Sequence, residues 1–212
     1  MLKIQDNLYQ FSSYLEPINL SFHQYLIDTD EPILVHTGNI KQVESLLPEI
    51  KKVLVNKELK YIFVSHFESD ECGGITRILK EYPNAKVICS QVTARQLEGF
   101  SILTNPLVKK PGEGMTIGGL QFEFISYPSE MHMWEGLLLY EINRGILFSS
   151  DLMISFGNLN THIVESTLEK ELKRIGREQI PDTEKRNILI EDLNKLNINF
   201  IATGHGQCIK II

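Results

Sequence analysis

The sequence lacks any long hydrophobic run: nothing in its 212 residues approaches the roughly 18 consecutive apolar positions of a membrane-spanning helix. It also lacks an excess of positive charge. Lys+Arg number 21 against 27 Asp+Glu, and the formal charge of −6 argues against nucleic acid or an anionic membrane as a partner. Cysteine is scarce: Cys72, Cys89 and Cys208 form no CxxC pair and leave an odd count, which suits a reducing, cytoplasmic compartment. The first residues, Met1-Leu2-Lys3-Ile4-Gln5-Asp6-Asn7, have no apolar core of the kind a signal peptide needs, which gives the same expectation. No low-complexity tract or linker interrupts the chain, so residues 1–212 are expected to form one domain with a sizeable core.

What is present is ordinary in bulk and unusual in one place. Hydrophobic residues make up 42% and charged residues 23%, values typical of a soluble globular protein. The unusual place is Ser65-His66-Phe67-Glu68-Ser69-Asp70-Glu71-Cys72-Gly73-Gly74, directly after the apolar run Tyr61-Ile62-Phe63-Val64. His66, Glu68, Asp70 and Glu71 are all capable of holding a metal, and no lysine or arginine lies among them. Because His66, Glu68 and Asp70 alternate, an extended or turning backbone can aim them at one point. Cys72 lies close enough to touch the same site, although a buried, inert thiol is its expected role.

Periodicity outlines the rest. Residues 24–28 and 32–36 flank the turn Thr29-Asp30-Glu31 as a hairpin, and Ile40, Val43, Leu46, Leu47, Ile50 and Val53 recur at helical spacing. A strand over 60–65 delivers the acidic motif, and the glycine pair opens a helix through Ile75, Ile78 and Leu79 that ends at Tyr82-Pro83-Asn84. A strand at 86–89 and a helix near 91–98 follow. The second half offers strands at 116–117, 120–125, 136–142 and 146–149, helices at 165–178 and 182–196, and a last strand at 199–202. Strands then helices in each half predict two packed sheets with helices outside, an α/β fold of the αββα sandwich type.

Three later residues share the local setting of the motif. His132 lies between two strands, Asp151 ends the run Ile146-Leu147-Phe148-Ser149-Ser150, and His205 follows the last strand between Gly204 and Gly206. Loops at strand ends carry functional side chains on a rigid scaffold. If these loops share one edge of the sandwich, His66, His132, His205, Glu68, Asp70 and Asp151, with Glu71, suffice for two metal ions and a bridging carboxylate. His23, His36 and His162 lack such a setting and read as structural or surface histidines. Trp134 beside His132 reads as packing around the site.

The series His66-x-Glu68-x-Asp70-Glu71, His132, Asp151, His205 resembles the metallo-β-lactamase superfamily, whose usual pattern is HxHxDH followed by a histidine, an aspartate and a final histidine. Glu68 in place of the second histidine is the mark of the flavodiiron proteins within it. His132 ahead of Trp134, Leu147-Phe148-Ser149-Ser150-Asp151 and Ile201-Ala202-Thr203-Gly204-His205-Gly206 resemble the matching segments of that family. The resemblance implies two non-haem iron ions. One would be held by His66, Glu68 and His132, the second by Asp70 and His205, with Asp151 bridging. The family usually places a histidine after the aspartate, where this chain has Glu71; binding the second iron, accepting a proton and pointing away all remain open for it.

The family's enzymes continue into a flavodoxin-like domain with FMN, whereas this sequence stops seven residues after His205, so no FMN domain is expected in it. The sequence is thus similar to the stand-alone, oxygen-binding diiron proteins. That similarity implies a homodimer that binds O2, with NO as the competing ligand, and acts as an oxygen sensor or carrier with a signalling (chemotaxis) partner. The alternative it implies is an oxygen or nitric oxide reductase fed by a separate flavodoxin or rubredoxin electron donor. A zinc hydrolase of the wider superfamily is a third reading, and Glu68 counts against it, because neutral imidazoles favour zinc while carboxylates suit iron or manganese.

Overall fold

The computed structural model describes residues 1–102, 105–128, 135–159 and 161–212, and its layers follow from strand alternation. Leu34, Ile62, Val64, Val87 and Cys89 face one way, towards helices, while their neighbours Ile33, Val35, Phe63 and Ile88 face a second sheet. The partner sheet obeys the same rule. Leu137, Leu139, Ile146 and Phe148 pack between the sheets; Leu138, Tyr140 and Leu147 pack outward under helices.

The first sheet comprises β1 (Leu2–Gln5), β2 (Leu8–Leu15), β3 (Leu20–Ile27), β4 (Ile33–Val35), β5 (Tyr61–Phe63), β6 (Lys86–Ser90) and β7 (Leu107–Lys109), in that spatial order. Pairing is antiparallel from β1 to β4 and parallel from β4 to β7. The second sheet has β8 (Gly114–Ile117), β9 (Leu120–Pro128), β10 (Glu135–Glu141), β11 (Ile146–Ser150), β12 (Ile163–Ser166), β13 (Phe200–Thr203) and β14 (Cys208–Ile211), ordered β12-β14-β13-β11-β10-β9-β8. The helices α1 (Gln42–Leu54), α3 (Ile75–Glu81) and α4 (Gln91–Gly99) cover the first sheet. A short α2 (Ser69–Cys72) carries the acidic motif, and α5 (Leu168–Leu172) and α6 (Thr183–Asn194) cover the second sheet. This is the αββα sandwich of two mixed sheets that the element order predicts.

Some elements differ from expectation for identifiable reasons. Ile40, placed by periodicity on the apolar stripe of α1, lies before the helix and is exposed. The helix expected over 165–178 shrinks to α5, because Ile163 and Val164 pair in parallel with β14 and Thr167 caps the following turn by accepting from the Lys170 N–H. The helix expected over 182–196 does form, as α6, with Asp182 Oδ1 accepting from the Lys185 N–H at 3.0 Å. Five strands, β1, β2, β7, β12 and β14, have no counterpart in the periodicity reading. No described helix is long and apolar enough to cross a membrane.

The sheets are pinned together where the motif loops emerge. The Leu137 N–H donates to the Ser65 carbonyl at 2.8 Å, and the His23 N–H donates to the Gly204 carbonyl at 2.9 Å. Glycine is required at both places. A Cβ on Gly136 would fall 2.6 Å from the Ser65 carbonyl oxygen, and one on Gly204 would fall 2.8 Å from that of Ser150.

Candidate metal centre

The acidic motif turns rather than extends. Glu68 takes an extended backbone at the N-cap of α2, and Asp70 and Glu71 occupy the first turn, so three carboxylates leave the chain in close succession. Ser65 Oγ lies 3.0 Å from His66 Nδ1 and 2.8 Å from Ser150 Oγ in the other sheet, which orients the imidazole and ties the two loops together. The other ring nitrogen, Nε2, lies 3.1 Å from Glu68 Oε2 and 3.2 Å from Asp151 Oδ2.

His205 is arranged the same way. Its Nδ1 lies 3.0 Å from the Ser21 carbonyl of β3, its ring meets Phe22 edge-on, and its Nε2 lies 3.2 Å from Asp151 Oδ1 and 3.4 Å from Asp70 Oδ2. Asp151 thus offers one oxygen to each histidine. It follows Ser150, whose positive φ of 49° turns the chain at the end of β11.

Two compact donor groups result: His66, Glu71 and Asp151, and Asp70, Glu71 and His205, with the donor atoms of each group all within 4.8 Å of one another. Glu68 belongs to neither group but borders the first through His66. Of the seven candidates, the structure brings these six together; His132 lies outside the described residues, as does Trp134.

Charge distribution matches the geometry. Burial works against a charged His66, but the carboxylates of Glu71, Asp151 and Glu68 outweigh it and hold the imidazole well above the usual histidine range. Burial likewise opposes ionised Asp151, yet hydrogen bonds from His205 and His66 hold its carboxyl well below the usual range. Burial, then the charge of Asp151, pushes Glu71 well above the usual carboxylate value. Glu71 is 2% exposed, and its Oε2 has no hydrogen-bond partner among the described residues. Four carboxylates crowd two imidazoles whose inner nitrogens already converge on them. Such a donor set fits cations, which would take the place of the protons shared here.

A cavity of about 390 Å³ opens onto the site between apolar walls that include Ile18, Leu20, Phe22 and Ile154. Tyr127, a residue the sequence reading did not single out, also lines it; its hydroxyl donates to Asp151 Oδ2 at 3.4 Å and its ring stands edge-on to His66. The sequence signal for it is slight, a tyrosine ending β9 just before the His132 loop. Cys72 is buried: its thiol donates to the Glu68 carbonyl at 3.0 Å, and burial pushes its pKa up to about 12. His23 and His36 are buried, whereas His162 is exposed.

Residues 20–206 match the model of the ODP family beta lactamase. A putative diflavin flavoprotein A 2 of Nostoc sp. is 28% identical over 205 residues, covering 89% of this chain and 34% of the relative. An anaerobic nitric oxide reductase flavorubredoxin of Salmonella arizonae is 25% identical over 199 residues, covering 88% of this chain and 41% of the relative. The chain therefore spans well under half the length of either. In fold, the rubredoxin oxygen:oxidoreductase of Desulfovibrio gigas superposes with a TM-score of 0.82 at 18% identity, over 99% of this chain and 57% of that one.

Proposed function

The chain belongs to the family described as ODP family beta lactamase, and we propose that it is a non-haem diiron domain that binds dioxygen, with nitric oxide as the competing ligand. The observation that carries this reading is the convergence of Glu68, Asp70, Glu71 and Asp151 on the inner nitrogens of His66 and His205. One metal ion would be held by His66 and Glu68, together with His132 from outside the described residues. The other would be held by Asp70 and His205, and Asp151 would be shared between them. A carboxylate-rich set favours iron or manganese over zinc. When bound, a pair of irons supplies electrons and adjacent coordination positions for a diatomic molecule.

The protein's own contribution is orientation and exclusion. Ser65 fixes the ring of His66, and the Ser21 carbonyl fixes that of His205, so neither imidazole needs to reorganise. Ile18, Leu20, Phe22 and Ile154 give the cavity apolar walls that suit a small neutral ligand and disfavour bulk water. Tyr127 places a hydroxyl donor beside Asp151.

In this reading residues 1–212 act as one cytoplasmic domain and pair as a homodimer, and the oxygen-bound state is signalled to a protein partner, as in chemotaxis. The second reading, a reductase, is favoured by the names of the relatives, a nitric oxide reductase flavorubredoxin and a rubredoxin oxygen:oxidoreductase. It needs electrons from a flavodoxin or rubredoxin donor. The deciding experiment follows oxygen in solution after mixing with reduced, iron-loaded protein, with and without such a donor. Brief uptake without sustained consumption supports the sensor or carrier; rapid, continuing consumption with a donor overturns it in favour of the reductase.

A further inference from the structure

Glu71 occupies a place in the site that its neighbours do not. It is the one residue common to both compact donor groups, standing with His66 and Asp151 in one and with Asp70 and His205 in the other. Its side chain is 2% exposed, and Oε2 has no partner among the described residues. Its backbone is held: the Thr37 N–H and Oγ1 both donate to the Glu71 carbonyl, at 2.9 and 3.2 Å, so α2 cannot easily turn the side chain towards solvent. A buried carboxylate surrounded by three others is costly without a cation beside it.

Resting on the diiron reading, we propose that Glu71 is a second shared ligand, reaching both metal positions alongside Asp151. A carboxylate can do this because it presents two oxygens with about four lone-pair directions, whereas a neutral imidazole offers one free nitrogen. Where the related pattern carries a histidine after the aspartate, this chain therefore has a group that links the two positions instead of serving one at most. The added negative charge falls on both ions. It favours hard cations and stabilises their higher oxidation state, which sets the ligand preference and the redox balance of the pair together.

The test is the anaerobic Mössbauer spectrum of reduced protein loaded with isotopically enriched iron, accompanied by a chelator competition. Glu71→Gln keeps the shape and removes the charge. It is expected to alter the signals of both irons and to weaken the hold on both, by roughly tenfold. Asp70→Asn, which touches only the second position, is expected to alter one signal. A Glu71→Gln spectrum in which only one iron changes, or neither, overturns the proposal. Glu71→Asp, which retains the charge but is a methylene too short to span, guards against a folding defect in the first variant. It too should alter both signals, and a change at one iron or none again overturns the shared role. Wild-type protein that retains no paired iron would defeat the diiron reading itself, so the two failures are distinct.

Discussion

Asp151 lies across the gap between the two sheets from His66, its Oδ2 3.2 Å from the histidine's Nε2, while its other oxygen is 3.2 Å from His205 Nε2. A single side chain therefore couples a loop of the first sheet to a loop of the second. Asp151→Ala should lower iron occupancy at both positions, whereas His205→Ala should mainly empty one. Metal analysis of the two purified variants checks this. Full occupancy in both would remove the bridging assignment.

Tyr127 contributes through Asp151 rather than directly. Its hydroxyl is 3.4 Å from Asp151 Oδ2, and its ring stands 5.5 Å from that of His66 in an edge-on arrangement. Tyr127→Phe keeps the ring contact and removes only the hydroxyl. Iron should still bind at the same stoichiometry, with affinity reduced up to about tenfold in a chelator competition. An unchanged affinity would show that the hydroxyl exerts no hold on Asp151.

His36 gives the fold a dependence on pH. Burial, and then the charge of His66, depress its value from 6.5 to about 3, and its Nε2 has no partner among the described residues. The unfolded chain takes up a proton there below about pH 6.5, and the folded one does so only near pH 3. Stability is thus complete above the unfolded value and falls as the solution is acidified. The loss amounts to about 2 kcal/mol between pH 6.5 and 5 from this residue. His36→Asn, which suits the positive φ of 63° at this position, should flatten the acid side of a plot of Tm against pH. Identical profiles for the two proteins would contradict the assignment.

Much of this architecture can be read in the sequence, and the exceptions have causes. Strands such as β11 and β13 announce themselves as continuous apolar runs, and the motif loops follow them directly. β2 is hidden because Gln10, Ser12 and Ser13 break its apolar pattern, although Gln10 is wholly buried. β7 and β12 are short and depend on neighbours already in place, β6 and β14. In the site, residue types in order after strands point to His66, Glu68, Asp70, His132, Asp151 and His205, with Glu71 beside them, and His132 lies outside the described residues. Which way Glu71 points is not legible in the sequence, because it depends on how Thr37 anchors the turn of α2. Ser65 and Ser21 escape notice for a similar reason: one acts through a hydroxyl across the sheet gap and the other through its backbone carbonyl.

The pairing state is measured by light scattering. A homodimer should weigh twice the 24.3 kDa of the chain, and a mass near the single-chain value at micromolar concentration would count against it.

The central claim, that this site holds two irons and meets oxygen, is tested most directly by anaerobic metal analysis followed by an optical spectrum before and after oxygen is added. The account predicts about two irons per chain and a slowly decaying absorption change on mixing. Two zinc ions and no iron after anaerobic reconstitution, with a spectrum indifferent to oxygen, would contradict it.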